Sequence, residues 1–272
     1  MESIGLIAGS GTLPFLFARA ARAQGLRVVA VAHRGETDPA LEAEVDALTW
    51  VRVGQFNGIL KAFRREGVTR AAMAGGIGRV RSLHHARLDL GTLRIFRRLK
   101  SFRDDALLRA VAAEFESKGV EIVAPTRYVR EVLAPAGLLA GPPLSAAEEA
   151  DVELGVSVAR RLGEADVGQT VVVHKLHVLA LEAVEGTDAA IARGCALGGR
   201  GAVVVKLAKP GQDERFDLPA VGPKTITVMA EGGARVLAIE SGKTLMLETD
   251  ALLRAAGGSG ITIWGLPPEP LR

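Results

Sequence analysis

The stretch from Lys209 to Pro219 combines side chains that could handle phosphate groups. Lys209 and Arg215 carry cations suited to phosphate oxygens, and arginine can offer two parallel N–H donors. Asp217 could hold a metal ion or orient a water molecule. Because pyrophosphate cleavage needs neutralised phosphate charge and a positioned nucleophile, the stretch predicts a phosphate-handling loop with Asp217 at the reacting centre. The alternative is a polar surface loop.

Three carboxylates, Glu182, Glu185 and Asp188, surround the pair Gly186-Thr187 where an apolar run gives way to a helical pattern. Carboxylate oxygens are the ligands that Mg²⁺ prefers, and the ion usually keeps several waters. The turn therefore indicates a magnesium site, or simply a helix that Thr187 or Asp188 caps.

A glycine turn, Gly9-Ser10-Gly11, follows a short apolar run and precedes a helical pattern. Backbone N–H groups at such a strand-to-helix turn favour an anion. Pro14 stands where the third glycine of a dinucleotide fingerprint would be, and no Gly-Lys-Ser/Thr follows as in a P-loop. The turn either contacts a ligand or only reverses the chain.

Other candidate groups point less clearly to chemistry. Asp104-Asp105 would cap a helix or contact a metal ion. The pair His84-His85 and the histidines of His174–His177 match no zinc-site spacing. Cys195, the single cysteine, has small apolar neighbours typical of packing.

The elements that must position these groups alternate between strand and helix up to about residue 134, which predicts a parallel sheet covered on both faces. Ser145 is a predicted helix N-cap. The second half is strand-rich, and Thr225–Ala230 is among its predicted strands. We expect an α/β protein with an N-terminal domain at 1–134, a linker at 135–144 and a C-terminal catalytic domain at 145–272.

The composition limits the cellular compartment and the classes of partner that we expect for this chain. The chain has 272 residues and a formal net charge of +3, and no apolar stretch is long enough to cross a membrane. One cysteine and the lack of a signal-peptide pattern favour the cytoplasm. The basic stretch Arg79–Arg103 is either a solvated helix face or a surface for phosphates or an anionic membrane. Nucleic acid is disfavoured, since aromatic residues are few and no binding module is present.

Four ordered motifs resemble one known family. They are Gly5–Pro14, Asp104–Arg109, Leu179–Asp188, and Lys209-Pro210 with Gln212, Arg215, Asp217-Leu218-Pro219, Gly222 and Thr225-Ile226. The chain resembles, over nearly its whole length, the UDP-2,3-diacylglucosamine pyrophosphatases of the LpxI type, which act in lipid A biosynthesis.

The resemblance implies hydrolysis of UDP-2,3-diacylglucosamine to 2,3-diacylglucosamine 1-phosphate (lipid X) and UMP with Mg²⁺ or another divalent cation. It implies a Rossmann-like N-terminal domain, a ligand cleft between the domains, and an essential Asp217. The assigned substrate contacts are Gly9, Ser10, Gly11, Thr187, Lys209, Gln212, Arg215 and Thr225, and the assigned metal contacts are Asp217, Glu185 and Asp188. The expected partners are the lipid-linked substrate, the inner face of the cytoplasmic membrane as a peripheral contact and, where the chain self-associates, a homodimer.

Two segments, Gly76–Val80 and His174–Leu176, depart from the usual family pattern and affect finer substrate contacts. Two other functions stay open. One is a non-catalytic UDP-sugar or lipid-phosphate binding protein. The other is an NAD-linked oxidoreductase, based on the glycine turn.

Overall fold

The computed structural model describes residues 2–77, 89–98 and 104–267. The chain divides into two compact units. Unit 1 contains residues 1–130 together with the short segment 213–217, and unit 2 contains residues 131–212 and 218–272.

Unit 1 is built on a five-stranded parallel sheet in the order β3-β2-β1-β4-β5. The strands are β1 Ser3–Ala8, β2 Arg27–His33, β3 Ala47–Val51, β4 Arg70–Ala74 and β5 Glu121–Val123. The helices are α1 Leu13–Ala23, α2 Phe56–Arg65, α3 Leu90–Arg98 and α4 Asp104–Glu116, with a 3-10 helix at Pro39–Glu44 and two short ones at Pro125–Arg127 and Arg130–Val132.

The central strands of this sheet are apolar on both faces because helices cover both sides. Ile4 and Leu6 pack with Phe17 on one face, while Val29 and Phe63 belong to the cluster on the other. Parallel strands all end at the same edge of a sheet, so the turns after β1, β2 and β3 come close together.

Unit 2 contains a six-stranded mixed sheet in the order β6-β13-β11-β9-β7-β8, with β9, β11 and β13 parallel to one another. Its strands are β6 Gly137–Ala140, β7 Thr170–His174, β8 His177–Leu181, β9 Val203–Lys206, β11 Val236–Glu240 and β13 Thr262–Leu266, and β10 Ala220–Val221 pairs with β12 Leu245–Met246. The helices are α5 Ala146–Glu164, α6 Thr187–Gly198, α7 Pro223–Gly232 and α8 Thr249–Gly258. The predicted fold class, a parallel-sheet domain followed by a separate strand-rich α/β domain, is confirmed.

The N-cap predicted at Ser145 is confirmed. Ser145 Oγ accepts from the Glu148 amide at 3.3 Å, and the Glu148 carboxylate accepts from the Ser145 amide at 2.8 Å, which together form a capping box at the start of α5.

The strand predicted at Thr225–Ala230 is wrong, because these residues lie in α7. Threonines alternate there with apolar residues, which imitates the period of a strand. Pro223 opens the helix, and Thr225, Ile226 and Met229 are buried at helical spacing.

The interval 135–144, predicted as a linker from its glycines and prolines, contains β6. This strand pairs antiparallel with β13, a strand that the sequence pattern did not predict, so residues 137–140 are part of the second sheet. The glycine-rich composition indicated a loop because an edge strand of four residues gives too short a pattern to recognise.

Candidate functional site

The first part of the predicted loop, Lys209 to Gln212, forms a closed turn in unit 2. The Lys209 amide donates to Gln212 Oε1 at 2.9 Å, and the Gln212 amide donates back to the Lys209 carbonyl at 3.1 Å. Lys209 Nζ lies 3.0 Å from Asp166 Oδ1. A side chain at Gly163 would meet Pro210 Cδ at 2.9 Å, so only glycine fits beneath the turn. Gln212 therefore holds the turn that presents the half-buried Lys209.

The next five residues, 213–217, belong to unit 1 and are held by Arg215. Its guanidinium donates from Nε and Nη2 to the two oxygens of Asp213 at 2.9 and 2.8 Å, and from Nη1 to Glu116 at 2.8 Å. Phe216 packs against the core cluster of the first sheet, with the Arg215 guanidinium 4.8 Å above its ring centroid. Arg215, predicted as a phosphate contact, thus pairs with two carboxylates and anchors the segment that carries Asp217.

Asp217 is exposed at the end of this segment, and its amide donates to the Asp213 carbonyl at 3.2 Å. The Arg215 guanidinium holds the pKa of Asp213 below its usual value, since it donates to both oxygens of that carboxylate. Asp213 stays ionised in the anchor, which leaves Asp217 as the exposed aspartate at the end of the segment.

At the amino-terminal end of α6, Thr187 connects two buried charged side chains. Lys206 Nζ donates to Thr187 Oγ1 at 2.8 Å, and Thr187 Oγ1 donates to Glu182 Oε1 at 3.0 Å. The other carboxylate oxygen, Glu182 Oε2, has no hydrogen-bond partner among the residues that the structure describes. Glu182 is one of the three carboxylates that the sequence placed at this turn, whereas Lys206 was not assigned to the site from sequence, although a lysine that ends the run Val203–Lys206 signals a charge at a buried strand end.

The two other predicted metal contacts pair with cationic side chains instead. Glu185 Oε1 lies 2.5 Å from Arg193, and Asp188 Oδ2 lies 2.7 Å from Lys224. A backbone hydrogen bond and the Arg193 guanidinium lower the pKa of Glu185. In the described ranges no group of three histidine, cysteine or acidic side chains has the arrangement of a metal site.

Thr225 is buried in the first turn of α7, where its hydroxyl accepts from the Gly222 amide at 3.4 Å. A capping contact of this kind satisfies a backbone donor at the start of a helix. The position that was predicted to touch substrate thus supports the turn that follows Leu218-Pro219.

The glycine turn after β1 is held by the loop after β4. Gly9 donates to the Ala74 carbonyl at 2.8 Å, and the amide and hydroxyl of Ser10 donate to the Gly76 carbonyl at 2.7 and 3.0 Å. A Cβ atom at Gly9 would lie 2.3 Å from the Gly76 carbonyl oxygen, so the approach requires glycine. Gly11, with a φ of +88°, and Thr12 line a cavity of about 820 Å³.

The remaining candidates contribute little to these sites. Cys195 is buried, and burial raises the pKa of its thiol, as expected for a packed cysteine. The side chains of Asp104 and Asp105, the pair His84-His85 and most of the basic stretch Arg79–Arg103 lie outside the described residues. Arg94 and Arg97 of that stretch lie on α3.

Comparison with known proteins adds the decisive observation. The family model described as the LpxI N-terminal domain matches residues 3–132, and the model described as the LpxI C-terminal domain matches residues 135–264. The chain belongs to the LpxI family. A curated relative from Caulobacter vibrioides, named UDP-2,3-diacylglucosamine pyrophosphatase LpxI, is 35% identical over an alignment of 280 positions that covers 99% of each chain.

Two solved structures show distant likenesses to this family member. The biotin carboxylase domain of a single-chain bacterial carboxylase is 13% identical with a TM-score of 0.27; the match covers 62% of this chain and 35% of that one. The crystal structure of gox2253 is 10% identical with a TM-score of 0.31, and the match covers 97% of this chain and 89% of that one. Within the described ranges, no helix is both long and apolar enough to span a bilayer.

Proposed function

We propose that this protein hydrolyses the pyrophosphate bond of UDP-2,3-diacylglucosamine, releasing 2,3-diacylglucosamine 1-phosphate (lipid X) and UMP in lipid A biosynthesis. The observation that carries the proposal is 35% identity, over 99% of both chains, to a relative named for this pyrophosphatase activity. Both family domains are matched, so the proposal concerns the whole enzyme and not an isolated module.

Asp217 is the proposed catalytic residue, which would orient the attacking water or bind the cation. Its support is local. The exposed carboxylate ends a segment whose backbone is fixed by the Asp213–Arg215–Glu116 ion pairs and by Phe216, which packs against the core cluster of the first sheet. A catalytic group gains from such anchoring because small displacements lower the rate of a positioned reaction.

A divalent cation, Mg²⁺ or another, would neutralise charge on the diphosphate when bound. By its chemistry, Asp217 fits as one oxygen ligand, because Mg²⁺ at phosphate sites commonly uses only one or two carboxylates plus substrate oxygens and water. Glu185 and Asp188 do not fit as cation ligands in this arrangement, since their carboxylates form ion pairs with Arg193 and Lys224. Glu182 fits better, because its buried Oε2 still needs a partner.

Charge neutralisation by protein side chains would fall to Lys209. Its ion pair with Asp166 is partly exposed, and exchanging one exposed partner for a phosphate costs little. Arg215 would act by positioning Asp217, since two carboxylates take its donors. Ser10 would act in the same indirect way, because its amide and hydroxyl bond Gly76 and leave the adjacent Gly11 to line the cavity.

We also propose a peripheral contact with the anionic inner face of the membrane, where a substrate with two acyl chains resides. On α3, Leu90 is 75% exposed and Leu93 is 44% exposed, next to Arg94 and Arg97. Exposed apolar side chains beside basic ones are typical of helices that bind membrane surfaces. Co-sedimentation with phosphatidylglycerol vesicles, but not with phosphatidylcholine vesicles, is the expected result, and a Leu90→Ser, Leu93→Ser double variant should weaken it.

The central experiment measures UMP release from purified UDP-2,3-diacylglucosamine. The parent protein with Mg²⁺ should release UMP and lipid X, EDTA should abolish the release, and added Mg²⁺ should restore it. Asp217→Asn should lower kcat by at least ~100-fold, as the loss of a group that stabilises the transition state does. Glu214→Gln changes an exposed neighbour in the same segment and should retain the parent rate.

Two outcomes would contradict the proposal. An Asp217→Asn variant with the parent rate would remove the assigned catalytic residue. Parent protein that binds the substrate but releases no UMP with any divalent cation would favour the non-catalytic binding protein.

A further inference from the structure

The cavity of about 820 Å³ in unit 1 lies where β1, β2 and β3 end. Gly11 and Thr12 follow β1, residues 34–39 follow β2, and Trp50 comes from the end of β3. The carboxyl ends of strands in an open parallel sheet are the usual place for ligands in this class of fold. The volume falls within the range of pockets that hold small organic molecules.

Two features of the wall suit the flat ring and the phosphate of a nucleotide. Trp50 is half-buried, and the Arg34 guanidinium lies 6.0 Å from its ring centroid, so an aromatic face and a cation stand together. Aromatic side chains stack on bases regardless of base identity. The amino-terminal end of α1, at Thr12, faces the same cavity and favours an anion.

The wall also carries three acidic side chains, Glu36, Asp38 and Glu42. Carboxylates this close would repel a bare phosphate ion, but they accept hydrogen bonds from hydroxyl groups. A ligand that uses all of these lining groups therefore has an aromatic ring, a hydroxyl-bearing sugar and a phosphate. Among common metabolites, nucleotides combine these three parts.

The loop that carries Arg34 is fixed by buried hydrogen bonds to the end of β1. His33 Nδ1 and the Thr37 hydroxyl both donate to the Ala8 carbonyl, at 2.9 and 2.7 Å, and Thr37 Oγ1 accepts from the His33 amide at 3.0 Å. These buried hydrogen bonds connect the ends of β1 and β2. A fixed frame lowers the entropic cost of binding, which supports a preformed site.

We propose that this cavity binds the nucleoside monophosphate part of the substrate, with the base against Trp50, the phosphate towards Arg34 and α1, and the ribose towards the acidic side chains. The choice of uridine rests on the proposed function, whereas the class of ligand rests on the cavity. The site would thus determine affinity for the nucleotide half, separately from the cleavage at Asp217.

The test uses tryptophan fluorescence of the full chain. The protein has two tryptophans, Trp50 and Trp264, so the Trp264→Phe variant reports on Trp50 alone. UMP and UDP should quench this signal saturably, and inorganic phosphate should not. In the same background, Arg34→Met should raise the Kd for UMP by about 10-fold, because a charge-assisted contact to phosphate is lost. Arg52→Met, an exposed arginine that does not line the cavity, is the matched control.

Steady-state kinetics give a second readout. Trp50→Phe and Arg34→Met should raise KM for the UDP-sugar with little change in kcat, since the cavity contributes binding and not chemistry. Unchanged Kd for UMP and unchanged KM in both variants would overturn the inference while leaving the proposed hydrolysis intact. Quenching by phosphate as strong as by UMP would also overturn it.

Binding measurements with other nucleotides distinguish a failure of the inference from a failure of the proposed function. NADPH that binds more tightly than UMP, with the same loss in Arg34→Met, would support a nucleotide cavity but count against the UDP-sugar as substrate. UMP binding that depends on Arg34, in a protein that cleaves no UDP-sugar, would likewise retain the inference and refute the hydrolysis.

Discussion

The anchor of the segment 213–217 allows a prediction with a magnitude. Replacing Arg215 with methionine keeps the aliphatic stem over Phe216 but removes the fork that binds Asp213 and the bond to Glu116. We expect the segment to leave its docked position more often, and Asp217 with it. The variant should therefore lose kcat more than it changes KM.

The size of the expected loss depends on how far the Arg215 and Asp213 side chains are exposed to solvent. Hydrogen bonds that involve charged groups contribute about 1.5–3 kcal/mol when well protected. The Arg215 side chain is 32% exposed and that of Asp213 is 16% exposed, so the fork is screened in part. We therefore assign it about 1–2 kcal/mol, between buried and surface pairs. Since about 1.4 kcal/mol corresponds to a factor of ten, the undocked population should rise roughly 5- to 30-fold.

Two measurements check this prediction. UMP release gives kcat, and hydrogen exchange follows the amides of Phe216 and Asp217, which donate to the Asp213 carbonyl at 3.0 and 3.2 Å. Both amides should exchange faster in Arg215→Met. Arg215→Lys should lie between parent and Met, because lysine keeps the charge and lacks the planar fork.

The controls separate anchoring from charge. Glu214→Gln alters the exposed neighbour of Arg215 and should change neither kcat nor exchange. If Arg215→Met exchanges at the parent rate and keeps kcat within a factor of two, the ion pairs do not hold the segment. A raised KM with unchanged exchange would return Arg215 to the role of a phosphate contact.

Three further predictions concern stability and metal dependence. Burial lowers the pKa of His33, so the free energy of unfolding should be retained above the unfolded pKa of about 6.5 and decline as pH falls below it; His33→Asn should flatten this part of a thermal-unfolding profile. Ser145→Ala should lower stability to urea by about 1 kcal/mol, as the loss of an N-cap does, and an unchanged midpoint would show that the capping box contributes nothing. Glu185→Gln should leave the Mg²⁺ dependence of UMP release at the parent value, because Glu185 pairs with Arg193; a right-shifted Mg²⁺ titration would instead make Glu185 a cation contact.

Much of unit 1 could be predicted from sequence because its signals are local. Apolar runs of strand length, each followed by a turn and a helical pattern, predicted the alternation from Ser3–Ala8 to Arg70–Ala74. The glycine turn was also recognised, since a close backbone approach needs glycine wherever it occurs. Thr225 was misjudged because the period of its neighbours fits a strand as well as a helix, and only the buried face of α7 distinguishes the two.

The candidate site was harder to predict, because its contacts join distant positions. Nothing local to Arg215 indicates that Glu116, 99 residues earlier, takes one of its donors. Lys206 was missed since it continues an apolar strand, and its partner Thr187 comes from the start of α6. Residue types gave the chemistry of these groups, whereas their pairing depends on the tertiary structure.

The late segment 213–217 also has a consequence for biosynthesis. Domains generally fold as the nascent chain emerges, and contacts between distant positions form late. The N-terminal unit lacks its Phe216 and its Arg215–Glu116 pair until nearly four-fifths of the polypeptide has left the ribosome. A truncated chain that stops before this point would expose part of the first core to water, and during translation that surface is where a chaperone would bind.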